Sequence, residues 1–454
     1  MSRKNAPRPS VSRRQFLIAG GAAAAASGLP GVAVADDEKE KPKIKRHRTL
    51  GRTGFEVSDI SIGGSGKEAN VYRYAYDHGI NYFDTGEAYG NGDSERKIGE
   101  ALQHMDRKKV FITTKMVPKD RDTLQTFLDR FDKCQERLRT DYIDALFIHQ
   151  AMNVGALDNE AFHAAVKRLK ADGRLRFAGV SNHGSFWGGH EENMEEVLVA
   201  AAEDGRFDLM LMAYNFMNRE KGDRVLAACK ENNVGTTAMK TAPGTMTTDP
   251  FDPENPSEGY ARYIKRQVEK GEKREDVIEE IQGWVRDQIA ATEKAFAAAK
   301  PFMEEYGVAD KKGLAMAGVQ WVLSNPDMHT VCITLEVFDD IDRYMPLSGT
   351  TTTRAQMLAL DQYRVAASSL YCRHACDDCS GACPKGVPVS TVMRYAYYFT
   401  EQAREKHAMS KYRGLGFGDE PPCESCSGPC AGACPFGVNV KANLLAAHGL
   451  LTLA

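Results

Sequence analysis

Four polar residues lie at or just past the ends of short β-rich segments, where they could transfer a proton. Asp84 ends the segment INYFD, Lys115 ends KVFITTK and His149 ends DALFIH, while Tyr89 lies in the loop after Asp84. A tyrosine can donate a proton to a carbonyl oxygen, and a nearby lysine ammonium favours the phenolate that results. An aspartate would hold that lysine in place, and a histidine can orient the substrate oxygen. Each residue alone fits a structural role, but four at matching strand ends indicate acid–base chemistry.

Eight of the 11 cysteines form two matched groups, CRHACDDCSGACPKGV at 372–387 and CESCSGPCAGACPFGV at 423–438. The candidate metal ligands are Cys372, Cys376, Cys379, Cys383, Cys423, Cys426, Cys430 and Cys434. Closely spaced thiolates among glycine-rich turns suit iron–sulfur clusters, because four sulfurs must converge on each cluster. Structural zinc and disulfide bonds are the alternatives. Cys134, Cys229 and Cys332 lie within helix or strand patterns and are expected to be core thiols.

Eight β-rich segments alternate with segments of helical spacing along most of the chain. They lie at residues 57–63, 80–84, 109–115, 144–149, 176–181, 207–214, 234–240 and 330–335. This alternation predicts an α/β fold in which eight parallel strands close a (β/α)8 TIM barrel, so that the strand ends meet at one mouth. A doubly wound open sheet is the alternative, although no GxGxxG follows the first segment. A charged helical insertion at 245–308 interrupts the pattern and is either a solvated excursion or a lid or partner surface.

The chain resembles the aldo-keto reductase family over residues 47–346. The resemblance is carried by TLGRTGFEVSDISIGG, NYFDTGEAYGNGDSERKIGEAL, FITTK, RLRTDYIDALFIH and GRLRFAGVSNHG. It implies an oxidoreductase acting on a small carbonyl or alcohol substrate. It assigns catalysis to Asp84, Tyr89, Lys115 and His149, with Tyr89 as general acid or base. In that family a nicotinamide delivers hydride, and Ser181 and Asn182 match the pair that holds its carboxamide.

Two departures from the family pattern disfavour NAD(P)H as the cofactor. Leu211 stands where the family commonly has a glutamine that contacts the carboxamide. After the eighth segment the family usually offers glycine and basic residues to the nucleotide phosphates. Here the chain reads ITLEVFDDID, and the carboxylates of Glu336 and Asp339 would repel a 2′-phosphate. We therefore expect weak NADPH binding, and NADH binding is disfavoured less strongly.

The two cysteine groups resemble a two-cluster ferredoxin module, because each group ends in Cys-Pro. The resemblance implies a small helical domain at 366–454 with two 4Fe–4S clusters that exchange their fourth ligands. One cluster would then use Cys372, Cys376, Cys379 and Cys434, and the other Cys423, Cys426, Cys430 and Cys383. Each group contains one residue more than the usual spacing, so the assignment of ligands to clusters stays open. Hydride transfer moves two electrons and a cluster moves one, so a two-electron carrier must link them or the reaction is not hydride transfer.

The N-terminus is predicted to be a targeting segment. Basic residues precede an alanine-rich apolar stretch, SRRQFL at 12–17 resembles a twin-arginine export signal, and Ala33-Val34-Ala35 supplies a cleavage site. We expect a signal peptide at 1–35, a linker at 36–46, the barrel at 47–365 and a periplasmic location reached through the twin-arginine export machinery. A disordered basic tail is the alternative.

Composition excludes two classes of function. The net charge of −3 is unsuited to nucleic-acid binding through phosphate attraction, and no apolar run is long enough for a membrane span. The leading hypothesis is an exported iron–sulfur oxidoreductase that exchanges electrons with a redox protein or a quinone. The alternatives are an electron-transfer subunit whose barrel no longer binds nicotinamide and an ordinary NAD(P)H-dependent aldehyde or ketone reductase.

Overall fold

Eight parallel strands close a barrel in the computed structural model. It describes residues 42–64, 67–183, 193–243, 250–256, 258–305, 311–400, 402, 404–418, 422–423 and 426–452. The barrel strands are β3 (Ile60–Ile62), β4 (Tyr82–Asp84), β5 (Phe111–Met116), β6 (Ile143–Ile148), β7 (Leu175–Asn182), β8 (Leu209–Ala213), β9 (Gly235–Met239) and β10 (Thr330–Ile333). They pair in chain order, and β10 closes the barrel against β3. The eight predicted strands and the TIM-barrel architecture are therefore confirmed, and the open-sheet alternative is excluded.

Helices surround the barrel and continue into the C-terminal segment. Those between or after the barrel strands are α1 (Ala69–Asp77), α2 (Asp93–Leu102), α3 (Leu124–Leu138), α4 (Glu160–Ala171), α5 (Met194–Asp204), α6 (Arg219–Glu231), α7 (Glu258–Glu269), α8 (Arg274–Glu305), α9 (Lys311–Leu323), α10 (Phe338–Tyr344) and α11 (Arg354–Ala366). The C-terminal segment, which we define as residues 367–452, contains α12 (Val389–Thr400), α13 (Glu405–Arg413), α14 (Pro429–Ala433) and α15 (Val440–Leu451).

Helix α3 illustrates how the sequence determines the outer layer. Phe127, Phe131, Cys134 and Leu138 recur at intervals of four, three and four residues and are all buried against the barrel. The side chain of Thr123 caps the first turn by accepting a hydrogen bond from the N–H of Thr126. The strands beneath are buried on both faces because helices cover the sheet, which explains their continuous apolar runs.

The first predicted strand, 57–63, is two strands in the structure. Residues Glu56–Ser58 form β2, which pairs antiparallel with β1 (His47–Thr49), and the barrel strand β3 begins only at Ile60. Asp59 separates them, since its carboxylate is buried and accepts hydrogen bonds from Ser348 Oγ at 2.7 Å and Gly349 N at 2.8 Å. The hairpin was not predicted because the apolar run appears continuous in the sequence. The residues that hydrogen bond to Asp59 and so interrupt the strand lie almost 300 positions later.

Part of the expected linker at 36–46 is held against the barrel. Ile44 N donates to His78 O at 2.9 Å, and Lys45 N donates to Ser348 Oγ at 2.8 Å. Arg46 reaches Gly349 O at 2.9 Å. Residues 42–46 are therefore part of the folded unit. The predicted signal peptide and the rest of the linker, residues 1–41, lie outside the described residues.

The insertion between β9 and β10 contributes the helices α7 and α8. Their facing sides share a small apolar core of Ile264, Val277, Ile281 and Val285. Helix α7 also contacts the C-terminal helix α15. No helix in the described ranges is both long and apolar enough to cross a bilayer.

His329, directly before β10, couples barrel stability to pH. Burial and the nearby Arg48 lower its pKa to about 4, and its Nδ1 accepts a hydrogen bond from Thr236 N at 3.0 Å. Between pH about 6.5 and about 4 the unfolded chain protonates this histidine but the folded chain does not, so acid favours unfolding. We expect His329→Asn, which keeps an acceptor but cannot titrate, to lose less stability over this interval, by up to about 3 kcal/mol. Urea unfolding at several pH values measures this, and equal slopes for both proteins would contradict it.

Candidate active site and cysteine clusters

A cavity opens at the barrel mouth, where the predicted acid–base residues lie together. Asp84 at the end of β4 and Lys115 near the end of β5 form a buried ion pair of 2.6 Å between Nζ and Oδ2. Thr113 donates to the other carboxylate oxygen at 2.7 Å, and Lys115 also donates to Thr85 O at 2.6 Å. Both charged groups are thus hydrogen bonded, as burial of an ion pair requires.

Tyr89 and His149 stand beside this ion pair. The Tyr89 ring centroid lies 4.8 Å from Lys115 Nζ, and the two rings meet edge to face with centroids 5.7 Å apart. Tyr89, His149 and Asp84 all line the cavity. The structure therefore brings the four predicted residues together at one site.

The electrostatic balance at Tyr89 differs from the sequence expectation. Burial raises the pKa of Tyr89, and the Lys115 ammonium opposes this shift without reversing it. The pKa of Lys115 is raised, because Asp84 and Tyr89 outweigh the effect of burial. Burial, followed by Lys115, lowers the pKa of His149 well below its usual value. At neutral pH the site therefore holds a neutral tyrosine, a charged lysine and a neutral histidine, which is the state that donates a proton.

The pair expected to hold a nicotinamide carboxamide is engaged within the barrel. Ser181 Oγ accepts a hydrogen bond from Gln150 N at 3.1 Å, and Asn182 Nδ2 donates to Ala151 O at 2.6 Å. Both side chains are buried, and neither belongs to the described lining of the cavity. Leu211 does line it, and supplies an apolar surface where the family commonly has an amide. The side chains of Ser181 and Asn182 therefore each already have a hydrogen-bond partner within the barrel, and their binding of the carboxamide stays a prediction.

The C-terminal segment supplies part of the wall of the cavity. Arg394 and Tyr398 of α12 line it, and Lys240 at the end of β9 donates to Tyr398 Oη at 2.9 Å. Arg394 donates through Nη1 to His183 O at 2.8 Å, which joins α12 to the loop after β7. Sequence reasoning did not assign these residues to the site. The available signal was the segment RYAYY between the two cysteine groups, with the one charged residue of α12.

The cysteines come together in two mixed quartets. Burial raises the pKa of Cys372, and the neighbouring thiols that raise it further are those of Cys376, Cys379 and Cys434. For Cys423 the corresponding neighbours are Cys383, Cys430 and Cys426. The thiols of this second quartet also line one common cavity. The last cysteine of each group therefore lies among the thiols of the other group, and the exchange of cluster ligands that the two-cluster ferredoxin rule implies stays a prediction.

The backbone repeats the same turn after each group. Gly386 N donates to Cys383 O and Gly437 N donates to Cys434 O, each at 3.2 Å. Both glycines have positive φ, 60° and 72°, which favours glycine because it has no Cβ. A 12-residue helix then begins six positions after each last cysteine, α12 in the first repeat and α15 in the second. The sequence repeat is thus a structural repeat.

The quartets have features that suit iron–sulfur clusters. Val387 N lies 3.3 Å from Cys383 Sγ and Gly428 N lies 3.4 Å from Cys426 Sγ, so amide donors face ligand sulfurs. All eleven cysteines are free thiols. No three His, Cys, Asp or Glu side chains in the described ranges are arranged to hold one metal ion.

The three remaining cysteines do not behave alike. Cys134 and Cys229 are fully buried in the packing of α3 and α6, in line with the core role expected for them. Cys332 is only partly buried and lines the cavity next to Asp84, which differs from that expectation. It lies on β10, where an inward-facing side chain reaches the barrel mouth.

The chain is similar to known proteins in both sequence and fold. Residues 66–351 match the Aldo/keto reductase family. A probable voltage-gated potassium channel subunit beta of Arabidopsis thaliana is 24% identical over 316 residues, covering 63% of this chain and 86% of that protein. The aldo-keto reductase YhdN of Bacillus subtilis is 25% identical over 329 residues, covering 64% and 93%. A solved aldo/keto reductase from Klebsiella pneumoniae, in complex with NADP and acetate, is 18% identical with a TM-score of 0.48, covering 70% of this chain and 95% of that one.

The family match spans more than half of the chain. The protein therefore belongs to the aldo/keto reductase family. It is an oxidoreductase of that type, and small carbonyl compounds are the substrates typical of the family.

Proposed function

We propose that the protein is an exported iron–sulfur oxidoreductase that interconverts a carbonyl and an alcohol, with Tyr89 as acid or base and two 4Fe–4S clusters as electron carriers. The observation that carries this proposal is the shared wall of the cavity. Helix α12 begins directly after the first cysteine group, and its residues line the same cavity as Tyr89. This helix thus connects the first cysteine group to the cavity that holds the acid–base residues.

The barrel residues perform the proton transfer. Tyr89 donates its phenolic proton to the substrate oxygen in reduction and removes it in oxidation. Lys115, held by Asp84, stabilises the phenolate that forms. His149 stays neutral and can donate a hydrogen bond to the same oxygen. Its Nδ1 is buried and has no hydrogen-bond partner among the described residues. The imidazole therefore keeps hydrogen-bonding capacity that a bound substrate can use.

The cysteine quartets would hold the clusters, one with Cys434 and the other with Cys383 as the exchanged ligand. When bound, two such clusters would each supply or accept one electron. A carbonyl becomes an alcohol by gaining a hydride at carbon and a proton at oxygen, so a two-electron carrier would have to pass the two electrons on as hydride while Tyr89 supplies the proton.

A chain of aromatic rings runs from the first cysteine group to the cavity. The Tyr371 ring, next to Cys372, lies 5.8 Å from His374, and His374 lies 5.3 Å from Tyr397. Tyr397 in turn lies 6.2 Å from Tyr398, which lines the cavity. These centroid distances are those of aromatic rings in contact. This row of aromatic rings supports the proposed electron exchange between the quartet that contains Cys372 and the cavity.

Family membership favours a second candidate, an ordinary NAD(P)H-dependent aldehyde or ketone reductase. The complete set of acid–base residues is compatible with it. Against it stand the engagement of Ser181 and Asn182 inside the barrel and the apolar Leu211 in the cavity wall. If the barrel binds no nicotinamide and turns over no carbonyl compound, the protein is an electron-transfer subunit.

Export by the twin-arginine route is part of the proposal. It is supported by Arg13 and Arg14, which precede an apolar stretch. The twin-arginine route also often exports proteins that have already folded around a cofactor. A redox protein or a quinone outside the cytoplasm would then exchange electrons with the clusters.

The deciding experiment is iron and acid-labile sulfide analysis of protein purified anaerobically from the periplasm. We expect about eight irons and eight sulfides per chain, with the absorption and EPR spectra of cubane clusters. A thermal-shift titration with NADH and NADPH accompanies it, and neither should stabilise the protein. Zinc or no metal, together with tight nucleotide binding, would instead establish the ordinary reductase.

A further inference from the structure

The cavity above the acid–base residues has an excess of positive charge. The cationic residues of its described lining are Lys240, Arg394, Arg404 and Lys411. Within that lining the one carboxylate is Asp84, and Lys115 and Thr113 already bond to its two oxygens. Three of the four cations come from the C-terminal segment. A cavity of this charge attracts anions.

Arg394 is the most deeply buried of these cations, with 2% of its surface exposed. Its Nη1 donates to His183 O at 2.8 Å and lies 3.0 Å from His183 Nδ1. Its Nε is buried and has no hydrogen-bond partner in the described part of the chain. An arginine stays charged when buried, and a buried charge is costly unless an opposite charge or further hydrogen bonds satisfy it.

The pKa values of neighbouring groups also reflect the positive charge of the cavity. Burial, followed by the charge of Arg394, lowers the pKa of Lys411 to about 8. The pKa of Tyr398 is lowered although burial acts in the opposite direction, because Lys240 and Arg394 stabilise its phenolate. The cations therefore repel one another in the cavity, and a bound anion would relieve this repulsion.

We propose that this cavity takes a carbonyl or alcohol compound that also carries an acidic oxygen group, a carboxylate or a phosphate, and that Arg394 binds that group. The proposal rests on the proposed function, because it assigns the substrate class of the same cavity. A guanidinium with an unpaired Nε can form two parallel hydrogen bonds to such a group, which fixes its orientation as well as its charge. The acidic group would then lie against the C-terminal wall while the carbonyl faces Tyr89 and His149.

The test compares matched pairs of compounds by thermal shift and calorimetric titration, so that it needs no turnover. Succinic semialdehyde is paired with butyraldehyde, and dihydroxyacetone phosphate with dihydroxyacetone. We expect the acidic member of at least one pair to bind at least about 30-fold more tightly, and the pair that responds identifies carboxylate or phosphate. The variant Arg394→Gln should lose this preference and Arg394→Lys should keep part of it. Arg413→Gln, on the exposed surface of α13, should leave it unchanged.

Equal binding of acidic and neutral members by the unmodified protein would overturn the proposal, whether or not the Arg394 variants fold. It would also be overturned if Arg394→Gln folds and retains the preference, or if NADH abolishes the preference by occupying the same cations. Failure of the proposed function is separate. A protein without iron, or without turnover that depends on Tyr89, could still discriminate the acidic compounds in these binding measurements.

Discussion

Replacing Cys372 and Cys383 together should remove all of the iron, whereas replacing Cys372 and Cys434 together should leave about half of it. The reason is the exchange of last ligands between the two groups. Cys372 has Cys434 among its thiol neighbours, and Cys383 belongs with Cys423, Cys426 and Cys430. The first double variant therefore damages both quartets, and the second removes two ligands from one quartet. Iron and sulfide analysis of the two Ser variants measures the difference.

The opposite result would show that each sequence group holds its own cluster. In that case Cys372→Ser with Cys383→Ser would keep about four irons, and Cys372→Ser with Cys434→Ser would keep none. The variant Cys229→Ala is the matched control, because this buried thiol lies in α6, outside both quartets. It should retain about eight irons. EPR of the half-loaded variant would then report one cluster without its neighbour.

Tyr89→Phe should lower kcat/KM for carbonyl turnover by about 10² to 10⁴, because it removes the proton donor and keeps the ring. The substitution leaves the Lys115–Asp84 ion pair and the contact of the ring with His149 in place. We therefore expect an unchanged iron content and an unfolding free energy within about 0.5 kcal/mol of the unmodified protein. Steady-state kinetics with iron analysis on the same samples separates chemistry from cluster loss.

Two further tyrosine variants sharpen this test. Tyr344→Phe, outside the cavity lining, is the matched control and should turn over normally. Tyr398 offers a second hydroxyl in the same cavity, bonded to Lys240. If Tyr398→Phe lost the activity and Tyr89→Phe kept it, the proton donor would belong to the C-terminal helix and the family assignment of Tyr89 would fail.

These predictions share one structural basis, which is that the active-site cavity is built from two parts of the chain. The barrel contributes Tyr89, His149 and the Lys115–Asp84 pair. The C-terminal segment contributes Arg394 and Tyr398 through the helix that follows the first cysteine group. A change in the cysteine groups can therefore alter substrate binding as well as electron exchange.

The barrel and its acid–base residues could be predicted from the sequence because their signals are local. Each strand is a short buried run followed by a helix of regular spacing, and parallel closure then places Asp84, Lys115 and His149 at one mouth. The cysteine repeat is equally local, since its ligands and its glycine turns lie within 16 residues in each copy. The break at Asp59 was missed, because its partners Ser348 and Gly349 are remote in sequence.

By itself, the sequence determined the barrel, the meeting of the four candidate proton-transfer residues at its mouth and the two cysteine groups, because hydrophobic period, residue type and short spacing are enough for these. Only the tertiary structure decided which other side chains line the cavity with Tyr89. The packing of α12 over the barrel mouth brings Arg394 to His183 and Tyr398 to Lys240, pairs that are 211 and 158 residues apart. No local pattern specifies such contacts, since they depend on how the side chains of α12 and of the barrel mouth pack together.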